Sequence, residues 1–275
     1  MIAAVDPYPD RRPAGGARPA GYRAPVDEVG DAFDYVVVGG ASAGCVVGSR
    51  LGEGPSVRVF RLDAGGEGRD LLIRAPLGFA VGMPLGRHSW GYETVPQPGF
   101  NGRRGFQPRG KALGGSSTIN AMIYARGHRS DYDGWAALGN PGWGYDDVLP
   151  YFKRSEANAI HRDSPFHGVD GPLHVTNLRS PSPLNEVFLE ACQSQGIPFN
   201  PDFNGEQHHG CYHVQVTQKD GERHSAAAAF IHPNLDRPNL EVRTGAHIAR
   251  VRFDQRRATA VEYQRGGRTE VVAAR

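Results

Sequence analysis

Residues 33–44 carry the sequence FDYVVVGGASAG, and this stretch decides the fold. A short β-branched run that ends in glycines is typical of a buried strand that enters a tight turn. After a brief helical stretch, residues 56–66 show a similar pattern, SVRVFRLDAGG. The two runs predict a βαβ unit, and with it an α/β fold of the Rossmann-like, dinucleotide-binding type.

The turn after the first strand has the residue types that a pyrophosphate site needs, namely Gly39, Gly40, Ala41, Ser42, Ala43 and Gly44. Gly39 lets the chain turn sharply, and Gly44 permits close packing of helix on strand. The amides of residues 41–43 open a helix whose positive end faces an anion. Asp63 ends the second strand and can accept hydrogen bonds from ribose hydroxyls. Ala41 replaces the middle glycine of GxGxxG, so its methyl group lies where a phosphate normally meets bare backbone.

The same turn is open to two other interpretations. Residues 40–44 also match GxSxG, the pattern in which a serine hydrolase places its nucleophile, here Ser42. Against this, the serine follows the first recognisable strand, and no HGGG-type oxyanion segment precedes it. The other alternative is that the glycines only make a tight turn, in a fragment without function.

A second glycine-rich segment, RGKALGGSSTIN at residues 109–120, is a basic loop that runs into a hydroxyl-rich stretch. Ser116 and Ser117 can cap a helix or bind a phosphate, and Asn120 offers an amide donor and acceptor. Capping and anion binding both stay open here. We predict helices at residues 116–127 and 145–156, opened by serine and aspartate caps.

Composition and periodicity divide the chain into a disordered tail at 1–31, a dinucleotide-binding part at 32–156, a second, smaller α+β domain at 157–224, and strands at 225–275 that return to the first domain. The elements that we predict after residue 70 are a mostly irregular stretch at 70–110, strands at 171–177 and 211–218, a helix at 183–196, and C-terminal strands that complete the first sheet. The last two strands are joined by a hairpin turn at Gly266 and Gly267.

Composition excludes several classes of partner. The net charge is +2, from 31 basic and 29 acidic residues, so no concentrated field attracts nucleic acid or an anionic membrane. No apolar run approaches the roughly 20 residues of a membrane span. The 3 cysteines are far apart, without disulfide or zinc spacing, which favours a cytoplasmic location.

One group of side chains resembles a metal set in composition: His208, His209, Cys211, His213 and His224. A strand would place His209, Cys211 and His213 on one face but His208 on the other. His224 lies beyond a turn. We therefore expect no metal site.

Taken together, these stretches resemble the glucose-methanol-choline (GMC) oxidoreductases, flavoenzymes that oxidise alcohols, and the choline and alcohol dehydrogenases in particular. The resemblance runs from Phe33 to Arg275 and includes WGYETVPQP and RPNLEVRTGAHIARVRFD. Residues 110–133, GKALGGSSTINAMIYARGHRSDYD, satisfy the family's first signature at every defined position.

The resemblance implies FAD as cofactor and assigns residues to it. Residues 39–44 would hold the pyrophosphate, and Asp63 would bind the adenosine ribose at the start of the segment that continues with Ala64 and Gly65. The remaining assignments are Leu113, Gly115 and Ser116 along the cofactor, Asn120, Ala121 and Met122 at the flavin ring, and Ile248 at the adenine. Some relatives attach FAD through a histidine just before the signature asparagine. Ile119 stands there, so non-covalent FAD is implied.

The resemblance also implies hydride transfer from a small-molecule alcohol to FAD. The family's second signature, its C-terminal domain and its catalytic histidine would follow Arg275. No histidine of this chain lies in a matching motif, so we assign no catalytic residue and expect the chain to be catalytically incomplete by itself. We also expect a partner, either a separate C-terminal half or a second copy that covers an exposed sheet edge.

Overall fold

The structure is a computed structural model and describes residues 32–275. The tail predicted at residues 1–31 lies outside the described residues. The strands formed by residues 32–275 are β1 Tyr35–Val38, β2 Val59–Leu62, β3 Tyr92–Glu93, β4 Phe106–Gln107, β5 Glu156–Asn158, β6 Leu173–Asn177, β7 Gln215–Val216, β8 Gln218–Lys219, β9 Glu222–Arg223, β10 Leu240–Arg243, β11 His247–Asp254, β12 Arg257–Arg265 and β13 Arg268–Ala273. The helices are α1 Ser42–Leu51, α2 Leu71–Arg74, α3 Gly78–Gly82, α4 Arg129–Ala137, α5 Tyr145–Ser155 and α6 Leu184–Ser194. Shorter helical turns cover Pro98–Phe100, Gly115–Thr118, Ala227–Ile231 and His232–Asn234.

The predicted βαβ unit is confirmed. Strands β1, β2 and β10 form a parallel sheet with β2 in the middle, and β2 is buried along its whole length. Helix α1 returns from the end of β1 and packs through Cys45 against the turn Ala227–Ile231. Because the strands are parallel, their carboxyl ends meet at one edge, which is where this fold binds its ligands.

A second, antiparallel sheet consists of β11, β12 and β13. Its hairpin is confirmed, since Gly266 and Gly267 have φ angles of 55° and 77°, which a type I′ turn requires. Only β10 of the C-terminal strands joins the first sheet, so the prediction that all of them complete it was wrong. The reason is pairing: β12 lies antiparallel between its two neighbours, and its Val261 and Tyr263 form a common core with Phe60 of β2.

The end of β13 is not fully open. Ala274 forms an isolated bridge with Phe33, and the amide of Phe33 donates to the carbonyl of Ala273 at 3.2 Å. The expected exposed edge is therefore partly covered by the residues that lead into β1.

The middle of the chain forms a sheet of β5, β6 and β7, with α5 before it and α6 between its last two strands. The helices predicted at residues 145–156 and 183–196 are confirmed as α5 and α6. The strand predicted at 211–218 shrinks to the short pieces β7 and β8. The stretch 70–110 is irregular as predicted, but it also holds α2, α3, β3 and β4.

The helix predicted at residues 116–127 was wrong. A single turn forms at Gly115–Thr118, and then the chain straightens. The amide of Tyr124 donates to the carbonyl of Gln215, and Ile123 bridges to Val216, so this backbone pairs with β7 instead of coiling. The helix that does form, α4, starts later, at Arg129. Its N-cap is His128, whose Nδ1 accepts from the amide of Ser130.

Among residues 32–275, every helix is too short or too polar to span a lipid bilayer.

Candidate cofactor site

The glycine-rich turn has the backbone shape that its sequence predicts. Gly39 has a φ of 91°, which only glycine adopts without strain. A Cβ on Gly44 would lie 2.0 Å from the carbonyl oxygen of Gly39, so no other residue fits there. Helix α1 therefore begins directly against the turn, and residues 41–43 are exposed at its N-terminus.

The carboxylate of Asp63 binds the backbone of this turn. Its Oδ2 accepts from the amide of Gly40 and its Oδ1 from the amide of Gly65, both at 2.7 Å. The residue is 7% exposed. The carboxylate thus joins the turn after β1 to the turn after β2. The bond from Asp63 to a ribose stays a prediction. The carboxylate has about two further lone-pair sites that could accept it.

The second glycine-rich segment lies directly on both turns. The amide of Gly114 donates to the carbonyl of Gly40 at 2.7 Å, and the amide of Leu113 to the carbonyl of Gly66 at 2.8 Å. A Cβ on Gly115 would lie 2.6 Å from the Cα of Ala41. Three segments that are distant in sequence therefore meet at backbone contact, which the absence of side chains on these glycines makes possible.

The two serines of this segment bind protein groups. Ser116 Oγ accepts from the amide of Gly110 at 3.1 Å. Ser117 Oγ donates to the carbonyl of Gly114 at 2.6 Å and accepts from the amide of Ala226 at 2.9 Å. The hydroxyls stabilise the loop, and neither caps an α-helix.

Asn120 organises a tight turn next to the loop. Its Oδ1 accepts from the amide of Met122 at 3.1 Å, and Met122 has a φ of 63°, unusual for a residue with a side chain. Asn120 and Ala121 are exposed, whereas Met122 is buried. Arg223 Nη1 donates to the same Oδ1 at 2.8 Å. Sequence reasoning did not single out Arg223, because no local pattern marks it.

Ser42 does not have the partners of a hydrolytic nucleophile. It is the first residue of α1, and its Oγ contacts the carbonyl of Gly114 at 3.5 Å. Within residues 32–275 no histidine or carboxylate is hydrogen-bonded to it. The structure therefore gives no support to the hydrolase alternative.

Comparison with known proteins identifies the family. The model of the GMC oxidoreductase family matches residues 33–275. The chain belongs to the GMC oxidoreductases. It is 45% identical over 231 residues to an alcohol dehydrogenase [acceptor] of Pseudomonas putida, covering 84% of this chain and 42% of that protein. It is 40% identical over 248 residues to the mitochondrial choline dehydrogenase of Homo sapiens, covering 87% of this chain and 41% of the relative.

Solved structures agree with the GMC fold. Pyridoxine 4-oxidase from Mesorbium loti superposes with a TM-score of 0.82 at 34% identity, over 88% of this chain and 48% of the other. An FAD-dependent oxidoreductase from Chaetomium thermophilum gives a TM-score of 0.80 at 28% identity, over 88% and 44%. The chain thus spans less than half the length of these relatives, and FAD is the cofactor of its family.

The described residues fit the FAD of a GMC protein. The exposed start of α1 offers free amides to a pyrophosphate, and the glycine contacts leave room for backbone approach. Ile119 is an alkyl side chain and is 7% exposed. Ile248 is half-buried against the core around Tyr263, so its predicted contact with adenine stays a prediction.

The histidines and the cysteine that resemble a metal set have separate partners. His208 packs against the rings of His128 and Phe203. Cys211 Sγ faces backbone carbonyls, at 3.6 Å from that of Pro198. His224 Nδ1 accepts from the amide of His174 at 3.1 Å, and burial lowers its pKa to about 4. No group of three metal-binding side chains converges within residues 32–275.

A buried ionic network lies in the middle region, away from the glycine-rich turn. Arg126 donates to Glu156, and His167 lies between Glu156 at 2.8 Å and Asp202 at 3.0 Å. Burial disfavours charge on His167, but its hydrogen bonds to Asp202 and Glu156 outweigh burial and raise its pKa. Burial likewise opposes the charge of Glu156, but His167 and Arg126 lower its pKa. These shifts favour the charged forms of His167 and Glu156, and the network ties together segments that are far apart in sequence.

Proposed function

We propose that this chain forms the FAD-binding part of a GMC enzyme that oxidises a small-molecule alcohol. The observation that carries the proposal is the meeting of three glycine-rich segments at the carboxyl edge of the parallel sheet. The relatives named alcohol dehydrogenase and choline dehydrogenase support the substrate class. The division into 32–156 and 225–275 for the cofactor and 157–224 for the substrate is part of the proposal.

The residues take the following roles. The amides at the start of α1, in the turn formed by Gly39, Gly40, Ala41, Ser42, Ala43 and Gly44, bind the pyrophosphate. The adenosine side is bound by Asp63, Ala64, Gly65 and Ile248, and the ribityl and ring side by Leu113, Gly115, Ser116, Asn120, Ala121 and Met122. FAD, when bound, supplies the acceptor for the hydride of the alcohol. The base that removes the hydroxyl proton is not assigned within residues 32–275.

A C-terminal half or a second copy of the chain is the proposed partner, and the cytoplasm is the proposed location. The described cysteines Cys45, Cys192 and Cys211 are all free, which supports a reducing compartment.

Binding of FAD to the purified chain tests the proposal. We expect saturable binding of one FAD per chain, measured by quenching of flavin fluorescence. Acid precipitation of the complex is expected to leave all flavin in the supernatant, because Ile119 has no nucleophilic atom. A yellow pellet would overturn the non-covalent assignment, and lack of saturable binding would overturn the function.

Ala41→Gly is expected to strengthen FAD binding about threefold, a gain of roughly 0.7 kcal/mol. The methyl group of Ala41 lies at the exposed start of α1, where we propose that a pyrophosphate approaches the amides. Ala43→Gly is the matched control, since it removes another exposed methyl from the same helix end and should give no gain. Equal or weaker affinity in Ala41→Gly would contradict the steric argument.

A further inference from the structure

Arg223 is a buried cation that donates to three acceptors in two segments. The residue is 4% exposed, on β9 of the β8–β9 hairpin. Its Nε donates to the carbonyl of Ile73 at 2.8 Å, and its Nη1 donates to the carbonyl of Ser117 at 3.2 Å and to Asn120 Oδ1 at 2.8 Å. The guanidinium thus fixes the glycine-rich loop and the Asn120 turn relative to α2.

The charge of Arg223 has no counterion among residues 32–275. All its acceptors are neutral oxygens, and its Nη2 is buried without a hydrogen-bond partner. Burial lowers the pKa of Arg223 to about 10, which still leaves the group charged at neutral pH. An uncompensated buried charge is costly for a folded protein, and an anion close to the guanidinium would offset that cost.

The hairpin around Arg223 supports the Asn120 turn from its buried side. Gln218, which pairs with Arg223 across the hairpin, contacts Met122 Sδ through its Nε2 at 3.7 Å. The carbonyl of Met122 accepts from the amide of Thr217 at 2.9 Å. The turn is therefore held on one side by the hairpin, while Asn120 and Ala121 stay exposed on the other.

We propose that Arg223 is a positioning residue for the flavin ring: through Asn120 it fixes the surface on which the ring lies, and its uncompensated charge stabilises the reduced, anionic flavin. This inference rests on the proposed function, because it needs FAD on the exposed side of the Asn120 turn. The charge lies one hydrogen bond behind that surface. At separations below about 10 Å, the attraction between opposite charges in a protein is large enough to change an equilibrium by about tenfold or more.

The test is the two-electron midpoint potential of bound FAD, together with its dissociation constant, in the full chain and three variants. Arg223→Gln removes the charge and keeps an amide donor. It is expected to lower the preference for reduced over oxidised flavin about tenfold, which for a two-electron couple is ~30 mV. Arg223→Lys keeps the charge but cannot reach all three acceptors, so FAD affinity should fall severalfold while the potential stays near that of the wild type.

Arg61→Met is the matched control. Arg61 is also fully buried, but its hydrogen bond goes to Cys45 Sγ at 3.0 Å, inside the core behind α1. Removing this charge is expected to leave the potential unchanged. Two results overturn the inference: a potential in Arg223→Gln equal to that of the wild type, or a decrease in Arg61→Met equal to that in Arg223→Gln. Neither result contradicts the proposal that the chain binds FAD.

The two proposals fail in different ways. Wild-type chain that does not bind FAD overturns both. Should Arg223→Gln fail to fold, Arg223→Lys decides: wild-type affinity for FAD together with unchanged hydrogen exchange at Met122 would show that Arg223 does not position the turn.

Discussion

Gly44→Ala is expected to abolish tight FAD binding and to destabilise the chain. The added Cβ would lie 2.0 Å from the carbonyl oxygen of Gly39, so α1 must move away from the turn. Overpacking of this kind costs about 1–3 kcal/mol of folding free energy, and displaced amides can no longer converge on a pyrophosphate. We expect at least a tenfold loss of FAD affinity, about 1.4 kcal/mol, in a fluorescence titration.

Gly134→Ala is the control for Gly44→Ala. Gly134 lies in α4, and nothing is within 4 Å of its added Cβ. Alanine in an exposed helix interior stabilises by up to about 1 kcal/mol relative to glycine, so stability should hold or rise with FAD affinity unchanged. If Gly44→Ala binds FAD within twofold of the wild type, the turn is not the pyrophosphate site.

Arg126→Met is expected to cause the largest loss of stability. The substitution leaves the carboxylate of Glu156, which is fully buried, with His167 as its one remaining ion-pair partner among the described residues. Removing one partner of a buried ion pair costs about 3–5 kcal/mol, because the remaining charge stays desolvated. Urea unfolding should show this as a lower midpoint at an unchanged m-value.

Arg129→Met is the matched control for Arg126→Met. Arg129 also forms an ion pair, with Asp146 at 2.9 Å, but its side chain is 48% exposed and that of Asp146 is 79% exposed. Solvent screens such pairs, so the urea midpoint should stay within experimental error. Equal effects of the two substitutions would show that the buried network does not stabilise the fold.

Local sequence predicted the parts of the molecule that are built locally. The turn at Gly39 and the start of α1 lie within one contiguous stretch. The hairpin depends on Gly266 and Gly267, whose positive φ angles a type I′ turn requires. Helix α6 follows from apolar periodicity, and Gly196 comes two residues after its last residue. These elements need no information from distant segments.

The failures occur where distant segments decide the structure. No helix forms over residues 116–127, because the backbone at Ile123 pairs with β7 instead. The side chain of Asn120 also binds the amide of Met122, which a helix would need for its own hydrogen bond. Helix α4 was missed because histidine is not among the usual N-caps. Asp131, which accepts from the amide of His128 at 2.8 Å, is the local signal that could have found it.

The candidate site shows the same division. The glycines were assigned from their own motif, because the geometry that they permit is local. Arg223 is 103 residues from Asn120 along the chain, and the bonds of Asp63 to Gly40 and Gly65 depend on how two turns pack. No spacing rule in the sequence encodes these contacts, so only the folded chain reveals them.

Hydrogen exchange of the full chain, with and without FAD, tests the central claim most directly. FAD at the proposed site covers the amides at the start of α1 and those of the second glycine-rich segment. Exchange should therefore slow in peptides that contain residues 39–44 and 113–122, and stay unchanged in the hairpin of β12 and β13. Protection confined to other segments, or none at saturating FAD, would contradict the account.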